Sequence, residues 1–208
     1  VTTELRIDER ALGARDLDEA AGLASRAFVD DEYFSYLLPD NRSRPRSLAM
    51  LFRSQIGHLG ENHRLVTVRD PHDAIVGVAS WLPTNRYPLP LREQLAQVPG
   101  QLRALYRHPR SLRIGGAYVK SLVRIHPKEP HWYLVLLAVE PAHQRSGVGT
   151  LLVRDGLARV DDEHVGAYLE TQKEENHAYY RRFGYELRQT VRPIKDGPPY
   201  YTMWRAPR

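Results

Sequence analysis

The chain has no cysteine among its 208 residues, which excludes disulfides, thiolate metal ligands and a cysteine nucleophile. It has no apolar run of the roughly 18 residues a membrane span needs. Its opening, Val1-Thr2-Thr3-Glu4-Leu5-Arg6, lacks the apolar core of a secretory leader. A cytoplasmic location without a membrane partner is therefore expected. Lysine is scarce: only Lys120, Lys128, Lys173 and Lys195 occur among 30 basic residues, and the rest are arginine. None of the nine histidines falls in a tight HxH or HxxxH pair, so no metal is expected. No internal repeat or low-complexity tract is visible.

What is present is ordinary globular material. Hydrophobic residues make up 42% and charged residues 26%, enough for one well-packed domain over 1–208. The formal charge is +5. Arg103, Arg107, Arg110 and Arg113 are spaced to share a helix face, but Pro109 interrupts the run and the basic residues show no aromatic interleaving of the RNA-binding kind. The run reads as solvated surface, and no nucleic-acid partner is expected.

Periodicity sets out the elements. Leu5-Arg6-Ile7 suits a short edge strand. Residues 16–28 place acidic residues first and Leu17, Ala20, Ala21, Ala24 and Phe28 on one stripe, an amphipathic helix matched to its dipole. A second helix is expected over 47–59. Runs at 65–69 and 75–81, joined by Asp70-Pro71-His72-Asp73-Ala74, form a hairpin. From 82 to 129, prolines break short helical pieces such as 91–98 and 112–125. The apolar run 132–139 suits a strand buried on both faces. A helix over 148–160, a strand over 167–171, a helix over 176–183 and strands over 185–191 and 200–204 complete a mixed sheet with an αβ half at its C-terminal end.

Between the long strand and its helix lies Gly147-Val148-Gly149-Thr150. Such a turn sets unpaired backbone N–H groups at a positively poled helix start, where an anion can bind. A dinucleotide fingerprint fails because position 152 is Leu, and a P-loop fails because no Gly-Lys-Ser/Thr follows. The bare turn leaves phosphate binding and a tight strand-to-helix connection both open.

The surroundings carry more. The stretch Leu137-Ala138-Val139-Glu140-Pro141-Ala142-His143-Gln144-Arg145-Ser146-Gly147-Val148-Gly149 resembles the cofactor signature of the GNAT superfamily of N-acetyltransferases, Gln/Arg-x-x-Gly-x-Gly/Ala. Further on, Asn176-His177-Ala178-Tyr179-Tyr180-Arg181-Arg182-Phe183-Gly184-Tyr185 resembles its second signature, Asn-x-x-(aromatic)-Tyr-x-x-x-Gly-(aromatic). Within the superfamily, Pro127-Lys128-Glu129-Pro130-His131-Trp132-Tyr133-Leu134 and Leu169-Glu170-Thr171 are most similar to actinobacterial enzymes of the puromycin N-acetyltransferase type. Those carry Gly-Lys where this chain has Arg145-Ser146, which shifts the loop's positive charge by one position.

The resemblance implies an α/β fold of the GNAT type: a central mixed β-sheet flanked by helices, with 82–129 as a helical insertion between the third strand and the cofactor strand. It implies acetyl-CoA as co-substrate and a primary amine of a small molecule as acceptor, acetylated by direct attack in a ternary complex. Leu137, Ala138 and Val139 would pair with the pantetheine arm while filling the core. Gln144, Arg145, Ser146, Gly147, Val148, Gly149 and Thr150 would hold the pyrophosphate, with Asn176, Tyr179 and Arg182 nearby. Asn176 also suits a helix N-cap, and Arg182 a surface position. Tyr180 would return a proton to the CoA thiolate, unless it is simply a core aromatic. Glu170, at a strand end, would be the base, against a reading as a capping or ion-paired carboxylate.

Asp31 and Tyr33 lie where the fold places an acceptor pocket, although an Asp30-Asp31-Glu32 run is more often a solvated loop. Trp81 and His131 complete the expected substrate contacts, His131 as a proton shuttle or a structural histidine. Protein or peptide N-acetylation and a non-catalytic acyl-CoA-binding module are the alternatives. The arginine-rich surface permits a homodimer.

Overall fold

A computed structural model describes residues 5–9, 12–58, 63–105 and 109–208. Leu59 and Arg107, parts of the expected second helix and of the basic run, lie outside the described residues. The strands are β1 Arg6–Asp8, β2 Arg64–Arg69, β3 Ile75–Leu82, β4 His131–Val139, β5 Gly166–Thr171, β6 Glu186–Val191 and β7 Tyr200–Arg205. The helices are α1 Ala14–Phe28, α2 Glu32–Leu37, α3 Arg44–Gly57, α4 Leu91–Leu105, α5 Pro109–Ile125, α6 Val148–Asp162 and α7 Asn176–Arg181.

The strands form one sheet in the order β1-β2-β3-β4-β5-β7-β6, antiparallel except for the β4–β5 pair. β3, inside this sheet and apolar but for Ser80, is buried along its whole length. β6 is the outer edge, mostly exposed and carrying Glu186, Arg188 and Gln189, polar residues that discourage pairing with another chain. One face of the sheet is covered by α1, α3 and α5, around Leu23, Leu48, Phe52, Ile114 and Tyr118. The other is covered by α6 and α7, around Val148, Leu152, Val160, Tyr180 and Phe183.

Two elements differ from the sequence expectation. The acidic run at 30–32 is not a solvated loop. Asp31 is buried and caps the six-residue α2, accepting from the backbone N–H of Tyr33 at 3.0 Å and Phe34 at 3.3 Å. The expected break at Pro99 is also absent, because α4 continues through it to Leu105. Packing overrides the proline there, since α4 lies along α3 and Ser54 Oγ donates to the Gln97 carbonyl at 3.1 Å.

β4 departs from expectation where the site forms. Its first residues, 131–134, pair on one side with β5 and are buried as expected. On the β3 side, Ser80 pairs with Leu136 but Trp81 pairs with Leu134, so Val135 is an extra residue in β4. This bulge twists the strand. The β4–β5 pairing ends at Leu134 and Leu169. Beyond it Val135, Leu137 and Val139 are only half-buried, because the neighbouring strand that would cover them has parted.

Candidate active site

The gap between β4 and β5 leaves the free edge of residues 135–139 facing it, while the other edge pairs with β3. At the end of β4 the chain makes a 3-10 turn, Pro141–His143, and then Gln144 is extended. Arg145 and Gly147 take positive φ angles, 62° and 98°. At Gly147 this left-handed conformation is one that glycine adopts freely. The alternation curls the loop so that its amides converge on the start of α6. Among the described residues, no backbone carbonyl accepts from the N–H groups of Arg145, Ser146, Gly147, Val148, Gly149 or Thr150. The loop is braced from within by Ser146 Oγ donating to the His143 carbonyl at 2.6 Å and by Gln144 Nε2 donating to the Val139 carbonyl at 3.3 Å. A β-carbon at Gly149 would lie 2.9 Å from the Tyr179 hydroxyl, so the loop approaches α7 closely. A fan of unpaired N–H groups at the start of a 15-residue helix is an anion-binding arrangement, and it fits a pyrophosphate.

On the far side of the gap stands Glu170, two residues beyond Tyr168 on the same face of β5. The phenols of Tyr133 and Tyr168 face its carboxyl, and Tyr87 and Tyr200 lie near enough to feel its charge. Burial pushes its pKa up to about 7, against a smaller downward pull from the two facing phenols. Glu170 Oε1 and the Tyr168 hydroxyl are both buried with no hydrogen-bond partner among the described residues. A half-ionised carboxylate with an open acceptor position is poised to take a proton near neutrality.

Two histidines close the same aromatic box. His131 Nδ1 lies 2.6 Å from the Glu129 carbonyl, and His131 Nε2 lies 3.1 Å from His126 Nε2. A carbonyl only accepts, so the His131 proton sits on Nδ1, and its bare Nε2 must accept from His126 Nε2–H. His126 Nδ1 is then a lone pair, and it is buried without a partner among the described residues. Burial lowers the pKa of both rings, that of His126 to about 3. The His126 ring lies 4.2 Å from Tyr87 and 5.1 Å from both Tyr133 and Tyr168. His126, Tyr87, Tyr133, Tyr168 and Tyr200 were not singled out by sequence. The one local hint is a second histidine five residues before His131, across a segment with Pro127 and Pro130.

Tyr180 is buried on α7, with Tyr179 and Tyr185 against it at 5.0 and 5.9 Å, and burial raises its pKa so that the phenol keeps its proton. It packs with Leu169, on the face of β5 opposite Glu170. Tyr180 and Glu170 therefore do not share one pocket; they lie toward opposite faces of β5. Asn176 is not the N-cap, a place taken by Glu175; its Nδ2 donates to Thr171 Oγ1 at 2.9 Å and ties α7 to the end of β5. Arg182 is exposed, with its guanidinium 5.0 Å from the Tyr179 ring centre.

Two expected substrate contacts sit differently. Trp81 is fully buried on the α6 side, where a β-carbon on Gly156 would lie 2.2 Å from its indole, so it fills the core on the face away from Glu170. Asp31 spends its carboxylate on the α2 cap. Tyr33 lies 4.5 Å from Tyr118, which lies 6.1 Å from Tyr200 beside Glu170.

Known structures share this fold. The structure superposes on that of a Corynebacterium glutamicum protein named histone acetyltransferase HPA2 and related acetyltransferase, with a TM-score of 0.71 and 25% identity over 100% of this chain and 98% of that one. The fold is shared with the Thermoplasma acidophilum PaiA N-acetyltransferase in complex with coenzyme A, with a TM-score of 0.52 and 12% identity over 98% and 99% of the two chains. It is shared too with the Escherichia coli ribosomal-protein-S18-alanine N-acetyltransferase, with a TM-score of 0.55 and 15% identity over 97% and 93%. Residues 26–185 match the model of the acetyltransferase (GNAT) family, and the chain belongs to that family of acyl-CoA N-acyltransferases.

Proposed function

We propose that the protein transfers an acetyl group from acetyl-CoA to a primary amine of a small molecule, with Glu170 as base and Tyr180 as acid. The observation that carries the reading is Glu170: a buried carboxyl with its pKa near 7 and an unpaired oxygen, at the point where β4 and β5 part. The N–H groups from Arg145 to Thr150 receive the pyrophosphate, and the free edge of Leu137, Ala138 and Val139 receives the pantetheine amides. The thioester carbonyl then lies in the gap. The amine loses a proton to Glu170, directly or through one water, and its nitrogen attacks that carbonyl. As the carbon–nitrogen bond forms and the carbon–sulfur bond breaks, the sulfur takes the proton of Tyr180.

The roof over Glu170 supports a small acceptor. Tyr87 lies across His126 and against Tyr133, and the insertion that carries His126 covers the neighbouring core. The likeness of residues 127–134 and 169–171 to puromycin N-acetyltransferase-type enzymes points the same way without naming a drug. The test is release of CoA thiol from acetyl-CoA with a panel of small primary amines beside a peptide with a free α-amine. Turnover of small amines supports the reading. Turnover of the peptide alone moves the acceptor to proteins, and acetyl-CoA binding without turnover of any amine favours a non-catalytic module.

A further inference from the structure

The insertion has an outer face that neither the cofactor loop nor the Glu170 box uses. On α4, Leu91, Leu95, Val98 and Leu102 recur at four-, three- and four-residue steps and are 38–69% exposed. On α5, Leu112, Val119 and Val123 are 44–56% exposed. The inward positions of α5, Ser111, Ile114, Tyr118 and Ser121, are buried, so the exposed residues form a separate outer stripe. Only one other large apolar side chain is comparably exposed among the described residues, Leu187. Apolar side chains gathered this way mark a contact surface.

The charge around the stripe has one sign. Arg92, Arg103, Arg113, Lys120 and Arg124 are exposed on the same two helices and form no salt bridge among the described residues. The only carboxylate in α4 or α5 is Glu93, which is buried beside Arg86. A second copy of the chain seated here would set this basic face against itself with no acid to neutralise it. A nucleic acid would answer the charge but leave the leucines and valines unused. A surface that offers anionic groups over an apolar layer answers both, as for basic amphipathic helices lying in a lipid interface.

We propose that the outer face of α4 and α5 docks the protein peripherally on an anionic lipid bilayer, its aliphatic residues entering the headgroup layer and its arginines meeting lipid phosphates. No helix of the described residues is long and apolar enough to cross a membrane, so the contact is superficial. Both open ends of this helix pair lead to the acceptor box, through Tyr87 and Leu89 before α4 and through His126 after α5. Docking would bring that box to the lipid surface and give amphiphilic amines a short path to it.

The test is co-sedimentation of the full chain with vesicles of phosphatidylcholine alone and of phosphatidylcholine mixed with phosphatidylglycerol. Binding is expected only to the mixed vesicles and should weaken with salt. Each basic residue near an anionic surface strengthens binding about five-fold, so Arg113→Glu/Lys120→Glu should weaken it by about 25-fold or more. Leu95→Ser/Val119→Ser should lower it by about ten-fold or more, while Leu187→Ser leaves it unchanged. All variants should keep the wild-type melting temperature. The proposal is overturned if mixed vesicles fail to bind, or if both double variants bind like wild type. It is equally overturned if light scattering shows a dimer that Leu95→Ser/Val119→Ser dissolves, or if the face binds duplex DNA but not vesicles.

Discussion

Replacing Glu170 with Gln should make the protein more stable and nearly inactive at once. The carboxyl has a pKa of about 7 in the folded protein against an ordinary 4.5. The folded chain therefore binds this proton more tightly than the unfolded chain, and stability falls as pH rises from about 4.5, levelling off above about 7. A shift of that size corresponds to roughly 3 kcal/mol. Glutamine keeps the shape and has no charge to bury, so Glu170→Gln should match wild type near pH 4.5 and exceed it by about 2–4 kcal/mol at pH 8. For a chain of this size that is a rise of about 4–16 °C in Tm. Loss of the base should lower kcat by about 100-fold or more, and the wild-type rate should climb with pH through about 7. Thermal melts from pH 4.5 to 8 beside thiol-release kinetics decide the matter. A variant no more stable than wild type at pH 8, or one retaining activity within a few-fold, would refute the assignment.

Tyr180→Phe should reduce kcat by about 100-fold while barely moving Tm, because only the hydroxyl is lost from a ring that stays packed; an unchanged kcat would remove it as the acid. Nitrogen-15 NMR of the imidazoles should find His126 protonated on Nε2 and His131 on Nδ1, with His126 showing no titration between pH 5 and 8; the opposite tautomers would break the derived chain. Asp31→Ala should cost about 1 kcal/mol through loss of the α2 cap, while Asp31→Asn, which still caps, should not. A large rise in the amine KM for Asp31→Asn with stability intact would instead return Asp31 to the acceptor pocket.

The glycine loop before α6 was legible in the sequence because it is local. A strand, the Glu140-Pro141 stop and the glycines lie within a dozen or so consecutive residues, and their order alone puts free amides at a helix start. Around Glu170, which the resemblance singled out, the rest of the box was not. Tyr87, His126, Tyr133 and Tyr200 come from a loop, a helix end and two strands, and only the sheet order brings them to it. Trp81 shows why parity in a strand is not enough. Parity puts it on one face with Ala79, opposite Val78, but which of the two faces lies beside Glu170 is set by the sheet order and the helices that pack there, and the indole lies under α6. Asp31 was legible as chemistry but not as role, since capping and substrate attraction call for the same carboxylate. Pro99 read as a stop because helix rules are local, and the α3 contact that holds α4 through it is not.

The central claim is that the loop from Gln144 to Thr150 holds acetyl-CoA, and calorimetry of acetyl-CoA against wild type and Gly147→Trp tests it most directly. The space beside Gly147 is open, with nothing within 4 Å of a β-carbon there, so an indole would occupy the volume the pyrophosphate needs. The account predicts micromolar binding by wild type and its loss in a variant that still melts cooperatively. Absence of binding by wild type, or undiminished binding by the folded variant, would contradict it.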